Sequence, residues 1–290
     1  MTVTDVFETF KSQLELPDRR QKEAARIQEE LRARIGKYLF VPRSFLSGSY
    51  ARYTKIDPLV DIDVMLVRNE ARVGVATDGS GILPRAALDQ VAEAVRKAYS
   101  DSQAKLQSRS VNVRLPGIPF GFDLVPAWLR HPDGYWIPDT DFGSWLPADP
   151  DAHADLMTQA NKRCDNKLKP LIKMVKHWSR NNHDLIRSFH IELICNDIFA
   201  RQGHAIPSYQ FAVAKVLVSL PQYIGQAMSD PIYGSSRVDR QLSSEEFQRL
   251  HARVMCDGQN AVDALALENA GENVAAVDKW KHIFLRGFPR

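Results

Sequence analysis

The sequence predicts an α+β chain in two parts: a front part that mixes strands with helices, and a back part that is almost entirely helical. Three observations carry this. Asp61–Val67, reading DIDVMLV, is the clearest strand of the chain. Val111–Leu115 and Phe120–Val125 are two shorter strands joined by a Pro-Gly turn that suits a hairpin. After the aromatic, Pro-rich stretch from Trp128 to Pro150, apolar residues recur at helical spacing almost to the last residue. That shift sets the expected boundary, with residues 1–155 as the front lobe and 156–290 as the helical lobe.

In chain order, Phe7, Phe10, Leu14, Ala24, Ile27, Leu31 and Ile35 keep helical spacing across Val6–Leu39. The polar stretch Pro17–Arg20 breaks or bends it, giving one or two amphipathic helices. A turn-rich loop, SGSYARYTKIDPLV, leads into the DIDVMLV strand. Arg68–Leu83 carries Gly74, Gly79, Ser80 and Gly81 and reads as an exposed loop. Pro84 then opens a helix whose apolar face is Leu88, Val91, Ala92, Val95 and Tyr99, proline being favoured at a first helical position. No internal repeat or low-complexity tract interrupts the chain.

Composition excludes several classes of function. The chain has 290 residues, 44% hydrophobic and 25% charged, an ordinary globular balance long enough for two lobes. Thirty-eight Lys+Arg against 35 Asp+Glu leave +3, so any polyanion site is local rather than spread over the surface. Cys164, Cys195 and Cys256 form no CxxC pair, which argues against a disulfide framework or zinc knuckle and for a reducing cytoplasm. The opening MTVTDVFETF has no basic region followed by an apolar one, so no secretory signal is expected. No apolar run approaches the roughly 18–20 residues that span a bilayer.

The chemistry concentrates in carboxylates. Residues two apart on a strand share a face, so Asp61 and Asp63 project together while Ile62, Val64 and Leu66 face the core. Two carboxylates that close repel unless a cation lies between them or one is protonated. A hard divalent ion such as Mg²⁺, which takes one or two carboxylates plus substrate phosphates, removes the conflict. A lone Asp-x-Asp is equally a solvated strand edge. Upstream, Leu46-Ser47-Gly48-Ser49 lets backbone N–H groups approach a phosphate that a β-carbon would hold off. Downstream, Asp123 in GFDLVPAW sits in an apolar strand where an unpaired acid is costly. Joining Asp61 and Asp63 around a pair of metal ions explains it economically; pairing with an arginine such as Arg114 is the alternative.

A Gly-Ser pair, a hydrophobic-flanked Asp-x-Asp and a later strand aspartate resemble the polymerase-β-like nucleotidyltransferase superfamily. More narrowly, the chain resembles the bacterial cyclic-oligonucleotide synthases of anti-phage signalling, relatives of animal cyclic GMP-AMP synthase and oligoadenylate synthase. GSYARYT, DIDVMLV, FDLVPAW, LKPLIKMVKHWSR, SFHIEL and WKHIFLRGFP carry the likeness, from about Ser47 to the C-terminus. The resemblance implies a nucleotidyltransferase lobe with a mixed sheet packed on a helical lobe, with the active site in the cleft between them. It also implies metal-dependent joining of nucleoside triphosphates with pyrophosphate release, giving a cyclic di- or trinucleotide. Asp61, Asp63 and Asp123 would be the catalytic metal ligands, with Gly48 and Ser49 on the donor triphosphate. Family members often carry glycine where Tyr53 and Leu285 stand; the first departure bears on the loop beside the acids and on acceptor choice, the second on packing.

Asn166–Arg180 is the best amphipathic helix. Leu168, Leu171, Ile172, Val175 and Trp178 cluster on one side, and Lys169, Lys173, Lys176 and Arg180 on another. Such a basic row is commonly a solvated face, but like charges at i,i+4 are relieved by an anion. Arg187-Ser188-Phe189-His190 opens the next helix, with Ser188 as its expected N-cap. By resemblance, Lys176 and Ser188 bind the triphosphate and Phe189 stacks on the donor base; by itself Phe189 reads as core.

Other signals are discounted. The histidines form no HExxH or zinc quartet, no GxSxG elbow is present, and Gly79-Ser80-Gly81 is not a Walker loop. The aromatics of AWLRHPDGYWIP are expected to pack under a long loop, with Tyr135 or Trp136 as cleft-lining alternatives. The expected cofactor is Mg²⁺, with Mn²⁺ as a substitute. Expected substrates are ATP and/or GTP, or pyrimidine nucleoside triphosphates, with no obligatory nucleic acid, no membrane, and a separate effector protein reading the product. The rivals are an enzyme extending RNA 3′ ends, as CCA-adding and poly(A) polymerases do, one modifying a small molecule or protein, and an inactive nucleotide-binding module.

Overall fold

The computed structural model describes residues 1–68, 81–201, 203, 205–234 and 236–289; Gly74, Gly79 and Ser80 of the expected exposed loop lie outside them. The elements in order are α1 (Val3–Leu14), α2 (Asp18–Ile35), β1 (Arg43–Leu46), α3 (Gly48–Ala51), β2 (Asp61–Arg68), α4 (Pro84–Ala98), β3 (Gln103–Leu106), β4 (Val111–Arg114), β5 (Gly121–Leu129), β6 (Tyr135–Asp139), β7 (Ser144–Ala148), α5 (Pro150–Arg163), α6 (Leu168–Asn181), α7 (Ser188–Cys195), a π-helical turn at Asn196–Arg201, α8 (Tyr209–Ser219), a 3₁₀ turn at Leu220–Gln222, α9 (Ser244–Asn269) and α10 (Asn273–Phe284). Among the described residues no helix is long and apolar enough to cross a membrane.

The chain forms two units. A strand unit comprises Leu16–Tyr53 and Pro58–Ala154; a helical unit comprises Met1–Glu15, Thr54–Asp57 and Asp155–Arg290. The strand unit ends at Ala154, and α1 groups with the helical unit. Its apolar stripe explains this: the Phe7 ring meets Trp280 edge-on at 5.0 Å between centroids, and Phe10 lies 4.8 Å from Phe284.

The strand unit is built on a seven-stranded mixed sheet in the order β1-β2-β5-β4-β3, with β6 pairing to β5 and β7 to β6. β2 and β5 run parallel, and their other ladders are antiparallel. Strict alternation decides the faces. Ile62, Val64 and Leu66 of β2, Phe122 and Leu124 of β5, and Val111 and Val113 of β4 bury against Leu31 and Ile35 of α2 and Leu88, Val91 and Val95 of α4. The opposite face of β2, β5 and β4 carries Asp61, Asp63, Gly121, Asp123, Asn112 and Arg114.

Four strands were not legible in advance. RSFL and QAKL are four-residue strands with half-exposed patterns, and ladders to β2 and β4 order them. The Trp128–Pro150 stretch is not a long loop but the β6–β7 hairpin, in which Trp136 faces Pro147 and Pro138 faces Trp145. Proline removes one backbone donor, which a strand at the sheet edge tolerates, and among the described residues β7 pairs with β6 alone. Tyr135 of that hairpin is buried in a small cluster with Met65, Val67 and Ala127.

In the helical unit α6 buries Leu168, Leu171, Ile172, Val175 and Trp178, as the spacing predicts. Two corrections apply. α7 begins at Ser188 itself, after an extended Arg187 that makes no side-chain cap, so Ser188 is the first helical residue and not the N-cap. Leu285 is 44% exposed with φ +59° and ψ −117°, so its departure from glycine falls on the backbone more than on packing.

Candidate active site

The sheet registers arrange the acids in two rungs across β4, β5 and β2. One rung is Asn112–Asp123–Asp63 and the next is Arg114–Gly121–Asp61. Side chains on a rung share a face, and neighbouring strands lie about 4.8 Å apart. Asp63 and Asp123 are therefore direct neighbours. Asp61 has a glycine beside it, and the Arg114 guanidinium reaches across that gap, Nη2 donating to Asp61 Oδ1 at 3.0 Å. A β-carbon on Gly121 would stand 2.3 Å from Asp61 Oδ1 and 2.9 Å from Arg114 Nε, so only glycine leaves room for the pair. Asn112 Nδ2 donates to Asp123 Oδ1 at 2.8 Å and to Asp61 Oδ1 at 3.1 Å, joining the rungs.

Three acids in so small an area affect one another. Burial pushes the Asp123 carboxyl up to about 6; the Asn112 hydrogen bond opposes this, the charges of Asp63 and Asp61 add to it, and Arg114 relieves it slightly. The sequence alternative that paired Asp123 with Arg114 is therefore not what forms: Arg114 bonds Asp61. Among the described residues no three His, Cys, Asp or Glu side chains close on a common point as a finished metal cage. The donor set is nonetheless hard oxygen, partly shielded from water and electrostatically overloaded. A divalent cation that brings its remaining ligands with a phosphate fits such a set.

The Gly48-Ser49 turn lies against these acids. Ser47 N–H bonds the Asp63 carbonyl at 2.8 Å, continuing the β1–β2 ladder. Gly48 follows at φ +60°, opening the single turn α3. Gly48, Ser49, Asp61, Asp63 and Asp123 thus all fall in the strand unit.

Lys176, Ser188 and Phe189 belong to the helical unit. The basic row of α6 is not a solvated face: Lys173 and Lys176 are buried. Lys176 Nζ donates to Glu192 Oε1 at 2.7 Å and to the Thr54 carbonyl and hydroxyl at 3.1 and 3.2 Å. Thr54 Oγ1 in turn donates to the same Glu192 oxygen at 2.8 Å, so Lys176 is tied to α7 one turn beyond Ser188. Lys173 pairs with Glu15 at 2.5 Å, and burial beside Lys173 pushes Lys55 down to about 8. Ser188 is exposed, while Phe189 is half-buried against the helical core.

Sequence reasoning missed Asn112 and Gly121, and considered Arg114 only as an alternative partner of Asp123, not as the partner of Asp61. The signal was present in VNVR, whose Asn and Arg share one face as the two aspartates of DID do. It also missed that Glu192, an acid inside the apolar run HIELIC, is the partner of Lys176.

Residues 1–161 match the profile of the Second Messenger Oligonucleotide or Dinucleotide Synthetase domain, more than half of the chain. The chain belongs to this family. As a second messenger oligonucleotide synthetase it is 28% identical over 265 residues to a cyclic AMP-AMP-AMP synthase of Acinetobacter sp., covering 85% of this chain and 73% of that protein. It is 26% identical over 173 residues to the CBASS oligonucleotide cyclase CdnC of Escherichia coli, covering 56% and 52%. The fold of this synthetase is similar to that of CdnC from E. coli MS115-1 solved with ATP, with a TM-score of 0.76, 20% identity and 99% of each chain covered. It is also similar to that of DncV, the Vibrio cholerae cyclic AMP-GMP synthase solved with a linear intermediate, with a TM-score of 0.70, 14% identity and 99% and 87% covered.

Proposed function

We propose that this chain joins nucleoside triphosphates, ATP among them, into a cyclic oligonucleotide that a separate effector protein reads in anti-phage defence. The observation that carries the reading is the two-rung set Asp61, Asp63 and Asp123 with the Gly48 turn against it. The Acinetobacter relative's name supports ATP as a substrate.

Asp61 and Asp63 would hold the Mg²⁺ or Mn²⁺ that accompanies the triphosphate, and Asp123 would complete a second site with them. When bound, the cations supply charge neutralisation at the attacking and leaving oxygens of an in-line displacement. The remaining work falls to the chain itself. Gly48 and Ser49 bring bare backbone to the donor triphosphate. Asp123 would accept the proton of the attacking ribose hydroxyl. That oxygen then bonds to the α-phosphorus as the bond to pyrophosphate breaks. In the helical unit, Lys176 and Ser188 are assigned to phosphate and Phe189 to the donor base. The contact to Lys176 requires phosphate to join or displace its Thr54 and Glu192 partners.

Mass spectrometry of the products tests this. Pure protein is incubated with all four nucleoside triphosphates and Mg²⁺ or Mn²⁺, treated with phosphatase, and compared with Asp61→Ala/Asp63→Ala. A phosphatase-resistant oligonucleotide made by the wild type and absent from the folded variant is the expected result. Extension of an RNA primer with no product from triphosphates alone would overturn it in favour of a terminal transferase, and turnover by the double variant would reject the metal assignment.

A further inference from the structure

Arg114 closes β4 and is 42% exposed, and Asp61 opens β2 and is 28% exposed. An ion pair that open to water adds little to stability, typically about 0.2–1 kcal/mol. Its construction is nonetheless specific. The pair spans a strand, and it exists because the residue between the partners is Gly121, where even a methyl group would collide with both. The same Asp61 oxygen also accepts from Asn112, which holds Asp123 as well. Asp61 Oδ1 therefore receives two N–H donors, one of them cationic. A cation bound at Asp61 and Arg114 compete for one oxygen, and like charges about 4–5 Å apart repel even in a water-like dielectric.

We propose that Arg114 is a positioning residue that acts as an exchangeable counter-ion: it holds Asp61 Oδ1 through the space left by Gly121 and yields that oxygen when a divalent cation binds. Asn112, being neutral, keeps Asp61 and Asp123 aligned through the exchange. The inference rests on the proposed metal role of the three aspartates, and it adds that the resting protein binds metal weakly until nucleotide brings further ligands.

The test is Mn²⁺ binding by the nucleotide-free protein, followed by the electron paramagnetic resonance of free Mn²⁺. Arg114→Gln should bind Mn²⁺ about tenfold more tightly than the wild type, from the loss of a nearby positive charge. Arg114→Met, which keeps the aliphatic stem, should behave alike, and Arg114→Lys should return close to the wild-type affinity. Asp61→Asn should abolish the binding and erase the gain when combined with Arg114→Gln. Thermal melts in EDTA identify which variants are folded, and either removal variant suffices. Unchanged or weaker Mn²⁺ binding in a folded removal variant, with binding still dependent on Asp61, overturns the counter-ion role alone. If that variant instead loses ATP affinity, Arg114 is a phosphate contact. Mn²⁺ binding that ignores Asp61 overturns the metal reading itself, and the counter-ion role with it.

Discussion

Gly48 and Asp63 are in such close contact that a β-carbon on the glycine would lie 1.8 Å from the Asp63 Oδ2 atom. The turn that opens α3 and the acid in the middle of the cluster therefore form one object. Glycine is required twice over, by space and by a φ of +60°.

Gly48→Ala should accordingly disable the enzyme more than it destabilises it. The left-handed backbone costs an L-residue about 1–2 kcal/mol. The collision falls on Asp63, so either the acid or the turn must move. The expectation is a melting temperature lowered by about 2–6 °C with kcat/KM for oligonucleotide synthesis down at least about 100-fold, since an ångström of misplacement is that costly. Near-wild-type turnover would show that the contact is incidental.

Asp123 gives the metal-free protein a pH signature. Its folded carboxyl stands at about 6 against an ordinary value of 3.8, so the folded state favours the protonated form. The stability contributed by this group is complete below 3.8 and is lost as pH rises through about 6. In EDTA, Asp123→Asn should raise the melting temperature at pH 8 by about 3–6 °C and change it little at pH 4. Scanning fluorimetry at the two pH values checks this; an equal shift at both would refute it.

Lys176 and Glu192 form a buried pair, their side chains 4% and 0% exposed. Lys176→Met leaves Glu192 without its cation and should cost about 3–5 kcal/mol in urea unfolding. Lys176→Met/Glu192→Leu should recover most of that loss, because removing both charges avoids the desolvation penalty. If the single variant is as stable as the wild type and only the KM for ATP rises, Lys176 serves the nucleotide alone.

Leu285 occupies a backbone conformation suited to glycine, and it is 44% exposed. Leu285→Gly should therefore raise stability by about 1 kcal/mol, a melting shift of about 2–4 °C, without altering kcat. Tyr53, at φ +57°, is strained in the same sense but lies five residues past Gly48 in the loop that leads to the acids. A glycine there is expected to change activity as well as stability.

The sequence by itself determined which residues share a face. Period-two alternation in DIDVMLV and FDLVPAW separated the acids from Ile62, Val64, Phe122 and Leu124, and helical spacing in LKPLIKMVKHWSR separated Trp178 from the lysines. Those are local properties of the backbone, and every one holds in the fold. Tertiary structure alone decided who stands beside whom. The parallel register that sets Asp63 against Asp123, and Gly121 against Asp61, joins segments far apart in the chain, and a one-residue slip of β5 would have turned Asp123 toward the core. The partner of Arg114 follows from that register, because a guanidinium reaches a second strand only across a residue with no side chain. The burial of Lys176 is likewise non-local: the chain around Thr54 folds into the helical unit and, with Glu192, replaces the water that a basic helix face would otherwise keep.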